Sequence, residues 1–124
     1  MKLRDEWVDN SPYGGRPGWL RKGTIFKIGD KKVILSVQAS ETHCSIPRMD
    51  WLKLSDCSHV EVGIVNVNYT KEKPNDKYFF LPSDLGIENF DKYFSFGNIA
   101  GCIPIEIVES LADELAKRET IVDD

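Results

Sequence analysis

Between residues 24 and 38 the chain alternates twice between apolar and polar side chains. Thr24-Ile25-Phe26-Lys27-Ile28 and Val33-Ile34-Leu35-Ser36-Val37-Gln38 are rich in β-branched residues, and Gly29-Asp30-Lys31-Lys32 separates them. Successive strand side chains point to opposite faces, so Phe26 and Ile28 share one face of the first run. Val33, Leu35 and Val37 share one face of the second. Gly-Asp supplies the positive φ that a tight turn needs, and the segment is predicted to be a β-hairpin.

A third half-buried strand is predicted over residues 59–67, where Val60, Val62 and Ile64 alternate with Glu61 and Gly63. Gly63 marks a bulge or a close approach by another backbone. A polar loop runs from Asn68 to Lys77, and Tyr78-Phe79-Phe80-Leu81 is a short edge strand ended by Pro82. Ser83 or Asp84 is placed to cap a short helix through Glu88 to Phe94, with Gly86 its weak point. Asn98 to Ile103 forms the last strand.

From Pro104 to Arg118 the period changes to that of a helix. Val108, Leu111, Ala112 and Leu115 make an apolar stripe at 3–4 spacing. Proline suits the first turn, where a missing N–H is no loss. Glu106 and Glu109 near the start, and Lys117 and Arg118 near the end, match the helix dipole. Asp113–Lys117 and Glu114–Arg118 are spaced to pair, each worth a few tenths of a kcal/mol.

The first 22 residues carry no such period. Residues 11–18 hold two prolines and three glycines, which neither a helix nor a central strand tolerates. Trp7, Tyr13 and Trp19 are spread along this arm, and each aromatic can bury on the order of 150–250 Å². The arm is expected to fold back over the rest of the chain.

These elements predict an α+β fold: a small, mostly antiparallel sheet of three to five strands with one long C-terminal helix packed on one face. The expected organisation is one domain over 1–124, with an irregular aromatic and basic arm (1–22), a mainly β part (23–103) and a helix (104–118).

Composition agrees with a globular chain: 124 residues, 41% hydrophobic and 29% charged, too apolar for disorder. A chain of this length buries roughly two-thirds of its unfolded surface, so it needs no metal or disulfide to fold. No apolar run approaches the roughly 18 residues of a membrane span. The three cysteines are odd in number and scattered, and the charged Met1–Glu6 segment lacks a leader's apolar core. Free thiols in a reducing cytoplasm are therefore expected. Asn68-Tyr69-Thr70 matches a glycosylation sequon that would be empty in that compartment.

Charge is uneven. Residues 1–53 hold ten Lys and Arg against six Asp and Glu, and residues 54–124 hold six against fourteen. Arg16, Arg21, Lys22 and Lys27 interleave with Tyr13, Trp19 and Phe26, as a groove for phosphates and stacked bases requires. The net charge of −4 opposes broad nucleic-acid affinity. Gly14-Gly15 fits neither a Walker A nor a G-x-G-x-x-G pattern.

Residues 39–48 gather His43, Cys44, three hydroxyls, Glu41 and Arg48 on a loop leaving a strand, where functional groups concentrate. The bland reading is a polar loop around a buried cysteine. His43 and Cys44 are adjacent, so on extended chain they face opposite ways and make a poor catalytic pair. A zinc site would combine either of them with Cys57 and His59, but standard ligand spacings are missing. No G-x-S-x-G elbow is present, and no carboxylate is singled out for acid–base work. No catalytic residue, metal or cofactor is assigned.

The functional expectation is a non-enzymatic protein-binding module, a small inhibitor or accessory protein with another protein as its partner. Its contact residues would be Trp7 and Tyr13 on the arm, and Glu106, Glu109 and Asp113 on the acidic helix face. Trp51 is expected in the core. The alternative is a binder of a nucleotide or other phosphorylated small ligand through Arg16, Trp19, Arg21, His43 and Arg48.

Overall fold

In the computed structural model, residues 3, 21–73, 76–95 and 98–119 are described. Trp7, Tyr13, Arg16 and Trp19 lie outside them, as does nearly all of the N-terminal arm.

The two alternating runs pair antiparallel as β1 (Thr24–Ile28) and β2 (Lys31–Gln38), with Thr24 opposite Leu35 and Phe26 opposite Val33. Gly29 takes φ +61° at the first central position of the turn, where lack of a Cβ removes the steric cost. β3 (His59–Asn66) pairs along β2 from Val33↔Asn66 to Gln38↔Glu61. Its far edge is divided between two partners. β4 (Phe79–Phe80) pairs with Ile64 and Val65, and β5 (Ile99–Pro104) pairs with the first half of β3. The sheet thus has five strands, all pairings antiparallel, with β3 central.

α1 (Ile105–Arg118) follows β5 directly and packs against β1, β3 and β5. It starts one residue later than the sequence predicts, because Pro104 ends β5 opposite His59. Val108, Leu111, Ala112 and Leu115 are the buried stripe, and they meet Phe26, Val33, Leu35, Val60, Val62 and Ile64 in one core. Glu114 takes both cations of the last turn: Arg118 Nη1 at 2.6 Å and Lys117 Nζ at 3.2 Å. Lys117 therefore pairs at i+3, where the sequence pairs it with Asp113.

The opposite sheet face carries the other half of the alternation. Ile25, Ile34, Val65 and Phe79 stand in register across four strands and form an apolar row. Beside it, Ser36 faces Gly63, and Gln38 faces Glu61.

Two expectations are corrected here. The helix predicted from Ser83 to Phe94 is two 3₁₀ turns, Pro82–Leu85 and Asp91–Tyr93. Gly86 and Asn89 between them have φ +76° and +73°, which a right-handed helix cannot include. Two aspartates cap the first of these turns: Asp84 accepts the N–H of its N-cap Leu81 at 2.8 Å, and Asp91 accepts the Ser83 N–H at 3.0 Å. The second correction concerns Gly63, which is approached by a side chain. A Cβ there would lie 3.2 Å from the Phe79 ring. The bulge sits in β5, where Gly101 and Cys102 together oppose Glu61.

Candidate protein-contact site

Residues 39–53 leave β2, cross to β3 and β5, and return toward β3. Their conformation is dictated locally at Ser40, whose Oγ accepts the N–H groups of Thr42 (3.1 Å) and His43 (3.2 Å). Ser40 Oγ also lies 2.6 Å from His43 Nδ1 and 3.4 Å from Thr42 Oγ1, and His43 Nε2 faces Glu61 Oε2 at 3.9 Å. Ser40 is fully enclosed, so this Ser–His–Glu series orders the loop and has no nucleophile to offer a substrate.

Four further ties hold the segment. Cys44 is disulfide-bonded to Cys102, with Cα atoms 5.0 Å apart, and the Cys102 N–H donates to Cys44 O at 3.2 Å. The β5 bulge makes this possible: Cys102 adopts φ +51°, an uncommon conformation for a non-glycine residue. Glu61 accepts the Cys44 N–H. Ile46 bonds β3 through its N–H to His59 O and its carbonyl to Ser58 N–H, both at 3.0 Å. Finally, the Arg21 guanidinium donates to Ala39 O at 2.7 Å and to Leu52 O, joining the two ends of the loop.

On this frame stand three large apolar side chains turned to solvent. Ile46, Met49 and Trp51 are 50%, 58% and 59% exposed within six residues. Arg48 is exposed among them, and the Ile46–Pro47 peptide is cis. Trp51 has φ +62°, a conformation costing a bulky L-residue about 1 kcal/mol or more. The expectation that Trp51 lies in the core is corrected: its neighbour Leu52 turns inward against the core while the indole faces out.

The sequence-derived candidates are scattered. Arg21 is 2% exposed, and besides its guanidinium contacts its backbone exchanges two hydrogen bonds with the Gln38 side chain. His43 is buried beside Glu61, whereas Arg48 is exposed, with Nη2 at 3.7 Å from Cys44 Sγ. Glu106, Glu109 and Asp113 line the exposed side of α1. Cys44 and Cys102 are corrected from free thiols to a disulfide, while Cys57 is a buried free thiol. Among the described residues no three His, Cys, Asp or Glu side chains come together as a metal-ligand set. No helix of the described residues is long and apolar enough to cross a membrane.

The sequence reading missed Glu61, Ile46 and Met49. Glu61 was legible as the outward member of an alternating strand. Ile46 and Met49 stand in a proline-containing segment with no period, where large apolar side chains have no face to be buried on. A small cavity of about 160 Å³ opens between Ser36, Gln38, His43, Glu61, Phe79 and Ile99.

Burial raises the Glu61 carboxyl above the ordinary glutamate range, against the Cys44 N–H and the nearby Arg48 charge, which lower it. The folded chain therefore holds this proton more tightly than the unfolded chain does. Stability falls as pH rises through the window between the two values. Glu61→Gln removes that dependence. Denaturant melts should show wild type losing stability relative to the variant as pH rises above the ordinary glutamate value.

Compared with protein-family models, curated proteins and solved structures, the chain matches none of them.

Proposed function

We propose that this chain is a non-enzymatic protein-binding module, a small inhibitor or accessory protein, that contacts its partner through residues 46–51. The observation that carries the reading is the exposure of Ile46, Met49 and Trp51 on a loop fixed at both ends. Exposed apolar side chains scattered singly need no explanation, but a cluster on a rigid frame does. Tryptophan and arginine dominate interface energetics, and a preformed loop loses little entropy on docking. Arg48 and Lys53, both exposed, favour a partner with an apolar pocket and an acidic rim. The exposed Glu106, Glu109 and Asp113 remain a second candidate contact on α1.

The nucleotide or phosphate reading has less support. Arg21 is enclosed, and the Glu61 carboxylate occupies the space between His43 and Arg48 where an anion would sit. The cytoplasmic expectation rests on free thiols, of which the Cys44–Cys102 disulfide leaves Cys57 alone.

A photo-crosslinking amino acid at position 51, irradiated in an extract of source cells, tests the binding reading. One discrete adduct is expected, absent when the same group replaces Asp30 in the β1–β2 turn. Trp51→Ala and Trp51→Gly should each weaken capture of that partner by tenfold or more, as loss of a central tryptophan does. Trp51→Gly should melt no lower than wild type, because glycine adopts φ +62° without strain. Identical adducts from positions 51 and 30 would sink the assignment.

A further inference from the structure

The loop that presents Trp51 is closed by a sulfur pair whose surroundings are polar and asymmetric. Arg48 Nη2 lies 3.7 Å from Cys44 Sγ, and both cysteines are only half-buried. Cys44 donates its N–H to Glu61, and Cys102 is held in the β5 bulge at φ +51°. The third cysteine, Cys57, is enclosed in the core and takes no part.

We propose that Cys44–Cys102 is a reversible thiol–disulfide site whose co-reactant is a dithiol, with Cys44 the sulfur that carries the thiolate. In the reducing direction a thiolate of the dithiol attacks Cys102 Sγ. The Cys44–Cys102 bond breaks, and its electron pair leaves on Cys44 beside the Arg48 guanidinium. The second thiolate of the reagent then attacks its own sulfur in the mixed disulfide and releases Cys102, which takes up a proton. Two electrons pass to the protein, and the dithiol becomes a disulfide. Of its two protons, one goes to Cys102 and the other stays in solvent while Cys44 remains ionised.

A neighbouring cation is what lowers a thiol's pKa and makes it the better leaving group. The groups around Cys44 are Arg48 and His43 on its own loop, Glu61 on β3, and His59 where β3 pairs with Ile46; β5 brings Cys102 itself. Arg48 touches the sulfur, whereas Glu61 touches the backbone amide, so the cation acts at the shorter range and the carboxylate opposes it. Opening the disulfide leaves the Cys102 N–H to Cys44 O hydrogen bond as the loop's tie to β5, so it would loosen the presentation of Ile46, Met49 and Trp51. That consequence alone rests on the proposed contact site.

The test is peptide-resolved alkylation with iodoacetamide across a pH series, on the whole chain reduced by dithiothreitol. Cys44 should react fastest, with a midpoint below that of an ordinary thiol. Arg48→Gln should slow Cys44 at neutral pH by roughly threefold, the net effect of one pKa unit on thiolate fraction and nucleophilicity, and leave Cys102 unchanged. Glu61→Gln should move Cys44 the opposite way. Far-UV circular dichroism checks that both variants fold. A second measurement needs no variant: the native disulfide should open at a rate proportional to dithiothreitol, without denaturant. An ordinary thiol profile for Cys44 that ignores Arg48→Gln would overturn the proposal. So would a disulfide that opens only where the chain unfolds. Neither readout involves a partner, so failure of the binding reading leaves the sulfur chemistry standing.

Discussion

Replacing Arg21 by alanine should cost about 3–4 kcal/mol of stability. Two donors vanish at once from carbonyls that have turned inward to meet them, Ala39 O and Leu52 O. Hydrogen bonds to a charged group contribute about 1.5–3 kcal/mol each, and the enclosed carbonyls are left without their guanidinium partner. Arg21→Lys should recover little, because a point-like ammonium cannot reproduce a planar fork that spans two acceptors. Urea titrations should show the midpoint falling with little change in slope. The same variants should lose partner capture beyond what their unfolded fraction explains, since Arg21 joins the ends of the loop carrying Trp51. A stability within about 0.5 kcal/mol of wild type would show that Arg21 is an incidental neighbour.

The second large effect lies on the other side of the sheet. Leu111→Ala removes a fully buried side chain from the middle of the α1 stripe. Buried leucine-to-alanine changes cost about 2–5 kcal/mol, through lost transfer energy and the cavity left behind. A loss of about 3 kcal/mol is expected here, because rigid strands on one side and one helix on the other limit collapse around the gap. Calorimetry checks it. The folded fraction of Leu111→Ala should still bind through residues 46–51, whereas Trp51→Gly should fold and fail to bind. The pair separates damage to the core from damage to the contact site.

Periodicity made the sheet and the helix legible. Val33, Leu35 and Val37 on one strand and Val60, Val62 and Ile64 on another advertise the buried face, and Val108 to Leu115 advertise the helix stripe. Where local chemistry competes with period, the reading fails. Gly86 and Asn89 take left-handed backbone conformations, and that breaks a helix the pattern permits. The site was less legible still. Nothing in the spacing of Cys44, Cys57 and Cys102 selects which two meet, because the register that joins them is set by a bulge in β5. Arg21 looks like a phosphate ligand in a basic stretch, yet backbone carbonyls from two other segments claim it. Trp51 has the composition of a core residue, and a left-handed backbone faces it outward. Such outcomes depend on contacts distant in sequence, which single-residue properties do not encode.

The position of the sulfur link also sets how the chain behaves when cut. Cys44 and Cys102 are 58 residues apart, and the described part of the segment between them holds β3, β4 and three 3₁₀ turns, Leu54–Asp56, Pro82–Leu85 and Asp91–Tyr93, in one covalent ring. The exposed stretch around Lys71 to Lys73 lies inside that ring. A protease that nicks there opens a loop without dividing the molecule, and both fragments stay tethered until the sulfur bond is reduced. Cleavage and covalent separation are thus separate events in this protein, and the second requires the Cys44–Cys102 bond to open.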